Sequence, residues 1–125
     1  MKKSLTPLGE TEMEVLHHVW KLGEASVAEV RERILENRQV AYTTIMTVMK
    51  NLADKGFLKY RKKGISYISS AAIEPEKVRF NLVDDLVSKV FHGSAKDLVQ
   101  SLVENEDLTD DDRKEIKKMI DKLGD

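Results

Sequence analysis

The sequence has no cysteine, only two prolines, and no apolar run near the roughly 18 residues of a membrane-spanning helix. Without cysteine, disulfide scaffolds, thiolate metal sites, iron–sulfur clusters and cysteine nucleophiles are all excluded. The basic start of the chain has no apolar stretch behind it and is not a signal peptide. We therefore expect a soluble, cytoplasmic protein that consists of one domain, or of one small domain plus an appended module.

Groupings of residues that carry catalysis are missing as well. The sequence has no Ser/His/Asp set, no phosphate-cradling glycine loop and no metal-ligand spacing. His17 and His18 are adjacent and cannot point the same way on a helix, and His92 ends a predicted helix, where histidine commonly serves the last carbonyl groups. We expect no enzyme, no metal site and no cofactor.

Charge is abundant, at 34% of residues, but it nearly cancels, with 21 Lys+Arg against 22 Asp+Glu. Residues 1–70 carry a net charge of +4 and residues 71–125 a net charge of −5, while residues 31–63 hold nine basic and three acidic side chains. A basic region in a near-neutral chain indicates a local contact with a polyanion; the alternative is an ordinary solvated face.

Helical periodicity and capping residues predict six helices and one hairpin. The helices are expected over 9–22, from Val27 to about 35, and over 42–55, 76–91, 95–104 and about 110–123, and the strands over 57–62 and 65–70 around Lys63-Gly64. The predicted fold is mainly α with a small β-hairpin. We expect a winged helix-turn-helix over residues 1–72 and a C-terminal helical module over residues 73–125. The third and fourth helices, described next, predict that the first is a DNA-binding domain and the second a dimerisation module.

The third predicted helix has two contrasting faces. One arc is apolar and is expected to face the core, while the opposite arc consists of threonines, an amide and one lysine. Threonine is a poor helix former on an exposed face, and short hydroxyl and amide side chains allow a helix to approach bases and phosphates closely. The alternative is an ordinary polar face. The residues predicted to contact DNA are Tyr42, Thr43, Thr44, Met46, Thr47, Lys50 and Asn51 on this helix and Arg61, Lys62 and Lys63 on the hairpin.

The fourth predicted helix is apolar over roughly 220° of the helical wheel, wider than the apolar stripe of an ordinary surface helix. A small helical tail cannot bury so wide a face alone, so packing against a second copy is expected; burial within one compact monomer is the alternative. A two-fold dimer would read a palindromic operator. The residues predicted to form the dimer contact are Val78, Leu82, Val83, Leu86, Val90, Phe91, Leu98 and Leu102.

The following motifs carry a resemblance to a known protein family. They are Leu5-Thr6-Pro7, Glu12 with Val15-Leu16 and Val19-Trp20, the run Val40-Ala41-Tyr42-Thr43-Thr44-Ile45-Met46-Thr47-Val48-Met49-Lys50-Asn51-Leu52, the segment Lys55-Gly56-Phe57-Leu58, and Phe91-His92-Gly93 with Leu98-Val99. In these motifs the sequence resembles the penicillinase-repressor (BlaI/MecI-type) family of winged-helix transcriptional regulators over nearly its whole length.

The resemblance implies a dimeric repressor that binds a palindromic operator. In the antibiotic-responsive members, a membrane-bound sensor metalloprotease cleaves the repressor tail, and the matching bond here is Ser101–Leu102, where those members typically carry Asn-Phe. Copper-responsive relatives use paired cysteines, which this chain lacks. The alternative from another class is a winged-helix adaptor that binds protein and not DNA.

Overall fold

The computed structural model describes residues 8–123, so the Leu5-Thr6-Pro7 motif lies outside the described residues. The predicted mainly helical fold with a hairpin is confirmed, and the strands form one antiparallel sheet in the order β1-β3-β2. The elements are α1 (Glu10–Leu22), β1 (Glu24–Ala25), α2 (Val27–Leu35), α3 (Tyr42–Asp54), β2 (Leu58–Lys63), β3 (Ser66–Ala71), α4 (Pro75–Val90), α5 (Ala95–Val103) and α6 (Asp110–Leu123).

The described chain divides into two compact units, the first ending at Leu82 and the second beginning at Val83. The division falls inside α4, because Val78 on its second turn is only 2% exposed and belongs to the first unit. The sequence-based boundary at residues 72 and 73 separates two functions, DNA binding and dimerisation, and it stays a prediction.

The first unit has a continuous apolar core in which α1, α2, α3 and the sheet meet. Burying a leucine, isoleucine or valine side chain completely stabilises the fold by about 1.5–3 kcal/mol, so this cluster accounts for much of the cohesion of the unit. The predicted core-facing arc of α3 lies in this core or packs against it. The buried members are Val15, Leu16, Val19, Ala25, Val30, Ile34, Ile45, Met49, Leu52 and Leu58.

The helix boundaries of the first unit follow from local chemistry. The Ser26 hydroxyl accepts a hydrogen bond from the Glu29 amide at 3.2 Å, and the Glu29 carboxylate accepts one from the Ser26 amide at 2.9 Å, so the two residues form a capping box at the start of α2. Gly56 follows α3 with a φ of +90°, a conformation that favours glycine after a helix. Both ends of the helix-turn-helix pair are therefore determined locally.

The hairpin lies one residue further along the chain than the sequence predicts. Lys63 pairs with Ser66, so the two-residue turn is Gly64-Ile65 and the predicted turn Lys63-Gly64 is wrong by one position. The reason is the φ of +65° at Gly64, which puts the glycine first in the turn, where a positive φ is needed in tight hairpins. The two-residue strand β1, which pairs with β3, was not predicted.

The second unit is helical and capped, but its side chains over residues 83–122 form no buried core. Ser94 caps α5 by accepting from the Asp97 amide at 3.1 Å, and Thr109 caps α6 by accepting from the Asp112 amide at 3.1 Å. Arg113 donates to the Val103 carbonyl at 2.9 Å and so links α6 to the end of α5. Over residues 83–122, no side chain is buried.

Candidate nucleic-acid interface

The predicted polar face of α3 lies on the surface of the first unit. Thr43, Thr44, Thr47 and Asn51 are exposed, and within residues 8–123 their side chains form no hydrogen bond. Helical threonine hydroxyls often bond a carbonyl one turn back, so these free hydroxyls leave their donors and acceptors open to an external partner. Tyr42 and Met46, 46% and 47% exposed, lie on the same surface near the start of the helix.

The beginning of α3 is held by two arginines that belong to the basic region of residues 31–63. Arg31 on α2 donates from Nε to the Val40 carbonyl at 2.9 Å, which fastens the segment just before α3. Arg38 forms an ion pair with Glu14 on α1 at 2.6 Å. Arg31 therefore joins the turn between α2 and α3 to α2, and Arg38 joins it to α1.

The end of α3 is held by a partly buried ion pair. The Lys55 Nζ lies 2.8 and 3.0 Å from the two Glu12 carboxylate oxygens, and the Gly9 amide donates to Glu12 Oε1 at 2.9 Å. Burial raises the pKa of Glu12, but the hydrogen bonds from Lys55 and Gly9 and the Lys55 charge outweigh it, so the pKa lies below its ordinary value. Glu12 is therefore ionised at neutral pH and ties α1 to α3.

The wing, defined as the β2–β3 hairpin over residues 58–71, has two chemically different faces. Side chains alternate along a strand, so Lys62 shares a face with the buried Leu58. Arg61 and Lys63 occupy the opposite face, where Arg61 forms an ion pair with Glu24 of β1 at 3.0 Å. The three wing residues predicted to contact DNA are therefore divided between the two faces.

Most basic side chains of residues 31–63 have partners inside the protein. Besides the contacts already described, Lys50 lies 3.7 Å from Asp54 on the exposed face of α3. Within the described chain the remaining cations of this region form no ion pair or side-chain hydrogen bond, and they are Arg33, Lys59, Lys62 and Lys63. Most basic side chains without a partner in the described chain thus lie on the wing, which follows α3 in the sequence.

The residues predicted to form a dimer contact differ in exposure. Val78 is buried in the first unit, Leu82, Phe91 and Leu98 are half-buried, and the others are exposed: Val83, Leu86, Val90 and Leu102, at 41–59%. Met119 and Ile120 of α6 are exposed too, at 62% and 46%, and they were not among the predicted contact residues. The helical spacing of the apolar residues in α6 was the sequence feature that could have identified them as contact residues.

The bond that matches the cleavage site of the antibiotic-responsive relatives, Ser101–Leu102, lies inside α5, and both residues are exposed. Within residues 8–123, no three histidine, aspartate or glutamate side chains come together as a metal site would require. Among the helices of the same residues, none is both long and apolar enough to cross a bilayer.

These helices, the open face of α3 and the wing define a winged helix-turn-helix protein of the DNA-binding kind. The fold is similar to that of an ArsR family transcriptional regulator, with a TM-score of 0.50 and 18% identity over 74% of this chain and 88% of that one.

The profile of the penicillinase repressor family matches residues 8–122, and the chain belongs to this family. It is 27% identical over 115 residues to the methicillin resistance regulatory protein MecI of Mammaliicoccus sciuri, covering 92% of this chain and 94% of that one. It is 26% identical over 125 residues to a penicillinase repressor of Staphylococcus aureus, covering 100% and 97%. The family consists of transcriptional repressors, not enzymes.

Proposed function

We propose that this chain is a sequence-specific transcriptional repressor that acts in the cytoplasm as a homodimer on a palindromic operator. The observation that carries the proposal is the exposed face of α3, where four short polar side chains have no hydrogen bond within the described residues. This face follows a turn fixed by Arg31 and precedes a wing with open lysines. Family membership supports the same conclusion.

In this proposal, α3 lies in the major groove. Asn51 has the donor and acceptor needed to pair with the edge of adenine, and Met46 can pack on a thymine methyl group. Thr43, Thr44 and Thr47 are short enough to reach base edges or phosphates without holding the helix away from the groove. Tyr42 and Lys50 contact phosphate, and Arg61, Lys62 and Lys63 hold the flanking backbone.

The second half of the proposal is a dimer formed through the C-terminal helices. Residues 83–122 contain no buried side chain, yet they expose apolar residues on all three helices of this part, among them Leu86, Leu102 and Met119. A helical unit of about 40 residues without a core needs a partner to be stable, and a second copy supplies a self-complementary one. Two copies would present two α3 helices to a palindrome.

Selection of bound duplexes from a random library, by the purified full-length protein at two salt concentrations, tests the proposal. We expect a palindrome with half-sites about one helical turn apart. If six to eight phosphates are neutralised per dimer, the affinity should fall as about the fifth to seventh power of salt concentration. No enrichment at low salt would overturn the proposal and favour the protein-binding adaptor.

The proposal includes release of the operator by a membrane-bound sensor metalloprotease that cuts at Ser101–Leu102. Because this bond lies in α5, the helix must open locally before a protease can engage it. A cut there would separate α6 and its exposed apolar residues from α4. A site for a specific protease engineered across residues 101 and 102 tests the step: cleavage should convert dimer to monomer and release the operator. A cleaved protein that stays dimeric and bound would contradict it.

A further inference from the structure

Within the described chain, the first turn of α3 has no side-chain cap. The residue before the helix is Ala41, whose methyl group accepts no hydrogen bond, and the first turn, Tyr42-Thr43-Thr44, contains no acidic residue. The starts of α2, α5 and α6, in contrast, are capped by serine or threonine hydroxyl groups. The first amides of a helix have no partner within it, so an uncapped first turn opens easily. This turn carries three of the residues proposed to contact DNA.

The chain before this turn has few contacts with the core. Between Ile34 on α2 and Ile45 on α3 the described chain has no buried residue, and Val40 is half-buried just before the helix. Arg38 in this stretch pairs with Glu14, but both side chains are partly exposed, and exposed ion pairs contribute little. The position of the first turn therefore depends on the contacts made by Val40.

Arg31 supplies such a contact from α2. Its Nε donates to the Val40 carbonyl at 2.9 Å in partly buried surroundings. A hydrogen bond from a charged donor is stronger than one between neutral groups, and partial burial reduces competition from water. Arg31 follows Val30, which is fully buried, so its own backbone is fixed in the core. The contact therefore ties the chain just before α3 to a helix that is itself well packed.

The opposite end of α3 is held by a different contact, the ion pair between Lys55 and Glu12 of α1. Thirteen residues at 1.5 Å each make α3 about 20 Å long, so the two contacts act on opposite ends of the helix. Asn51 lies near the end held by Lys55, whereas Thr43 and Thr44 lie near the end held from α2. The two halves of the polar face of α3 thus depend on different supports.

We propose that Arg31 is a positioning residue for operator recognition, which sets the base specificity facing the first turn of α3 without touching a base. This inference rests on the proposed function. With the hydrogen bond in place, the first turn holds Thr43 and Thr44 in position before DNA binds. Without it the turn opens, so that ordering it on DNA costs conformational entropy and the loose turn accepts other bases. The position facing Asn51 is unaffected, because Lys55 holds that end.

The experiment compares Arg31→Met and Arg31→Gln with wild type, all full length. Methionine matches the arginine chain as far as Nε but removes the donor. Glutamine is neutral and carries a nitrogen donor on Cδ, where arginine carries Nε, so it restores a donor for the Val40 carbonyl. Titrations of duplexes with single substitutions in the half-site measure the preference at each position. We expect Arg31→Met to lose about fivefold or more of the discrimination facing the first turn and none facing Asn51, and Arg31→Gln to keep the wild-type pattern.

A matched control is Arg33→Met. Arg33 lies on the same helix, is half-buried like Arg31, and forms no ion pair or side-chain hydrogen bond within the described chain, so the pattern of preference should not change. If Arg31 instead contacts phosphate directly, both of its neutral variants should weaken all duplexes alike and lower the salt slope by about one per chain. That result, a wild-type pattern in Arg31→Met, or an equally relaxed pattern in Arg31→Gln and Arg31→Met would overturn the inference and leave the proposed function standing.

Amide hydrogen exchange of the free protein tests the first turn without DNA. The Ile45 amide donates to the Ala41 carbonyl at 3.3 Å and so closes this turn. In wild type it should exchange within about tenfold of the Met49 amide one turn further on, and in Arg31→Met it should exchange about tenfold faster while the Met49 amide is unchanged. A wild-type Ile45 amide that exchanges as in an unfolded chain would overturn the inference, whether or not Arg31→Met folds. Failure of wild type to bind any duplex would instead overturn the proposed function.

Discussion

Asn51 is the residue of the α3 surface with the clearest capacity to discriminate between bases, because its amide offers a donor and an acceptor side by side. We predict that Asn51→Ala relaxes the base preference at one position of each half-site, at about 1–3 kcal/mol per lost base contact. Repeating the duplex selection with the variant measures this. Lys50→Ala is the matched control, since loss of a phosphate contact should weaken all duplexes alike. An unchanged site preference in Asn51→Ala would show that the reading face is assigned wrongly.

Glu12 links the acid stability of the first unit to the position of α3. Its pKa is lowered in the folded chain, so its stabilising effect is complete above the unfolded value near 4.5 and is lost as pH falls through the folded value. We predict that Glu12→Gln lowers the free energy of unfolding at pH 7 by about 1–3 kcal/mol, because Lys55 loses its charged partner. The difference from wild type should shrink below pH 4.5.

Urea denaturation of both proteins from pH 7 to pH 3 measures this dependence. A control is Glu36→Gln, which removes an exposed carboxylate that forms no ion pair within the described chain. A difference between wild type and Glu12→Gln that stays constant over the whole range would contradict the role of the ionised carboxylate.

The contacts that hold α3 could not be predicted from the sequence, although the face of α3 could. Helical spacing alone placed Thr47 and Asn51 opposite Met49 and Leu52, and the structure has them so. Lys55, in contrast, finds its partner Glu12 at a separation of 43 residues. Sequence patterns show only which residues are neighbours within one helix or strand. They therefore do not distinguish a basic residue that pairs with a distant part of the chain from a basic residue that has no partner.

At the scale of the element, the wing shows where local patterns lose precision. Its existence, its length and its basic character follow from the sequence, because a glycine lies between two runs of strand-forming residues. The pairing register of its two strands depends on whether the turn is Lys63-Gly64 or Gly64-Ile65. The sequence pattern does not decide between them, because Lys63 and Ile65 flank the glycine symmetrically. β1 could not be predicted at all, since two residues are too few to show a period.

The wing also gives a prediction about charge. We expect Lys63→Ala to weaken binding to every duplex and to lower the slope of log affinity against log salt by about one for each chain that contacts DNA. Titrations of one duplex at several salt concentrations measure the slope. Lys96→Ala, which removes an exposed lysine of α5 outside the predicted contact set, should leave it unchanged. Equal slopes for wild type and Lys63→Ala would remove Lys63 from the interface.

At the scale of the whole molecule, the exposed apolar residues of residues 83–122 decide the proposed state of assembly. We predict that Leu86→Asp converts the dimer to a monomer, because a carboxylate in an apolar contact has no partner to offset its loss of hydration. Sedimentation measures the mass. Ser88→Asp places the same charge on an exposed position of α4 on the side away from Leu86 and should remain dimeric. A Leu86→Asp protein that still sediments as a dimer would show that the contact lies elsewhere.

The absence of any buried side chain over residues 83–122 makes the stability of this segment depend on the concentration of the protein. A segment that gains its core only from a second copy folds and associates in one step, so its stability rises with protein concentration. In the proposed repressor, operator occupancy would then depend on roughly the square of the chain concentration below the dimerisation threshold. A twofold fall in chain concentration would lower operator occupancy about fourfold in that range, so the quantity of repressor would itself act as a signal.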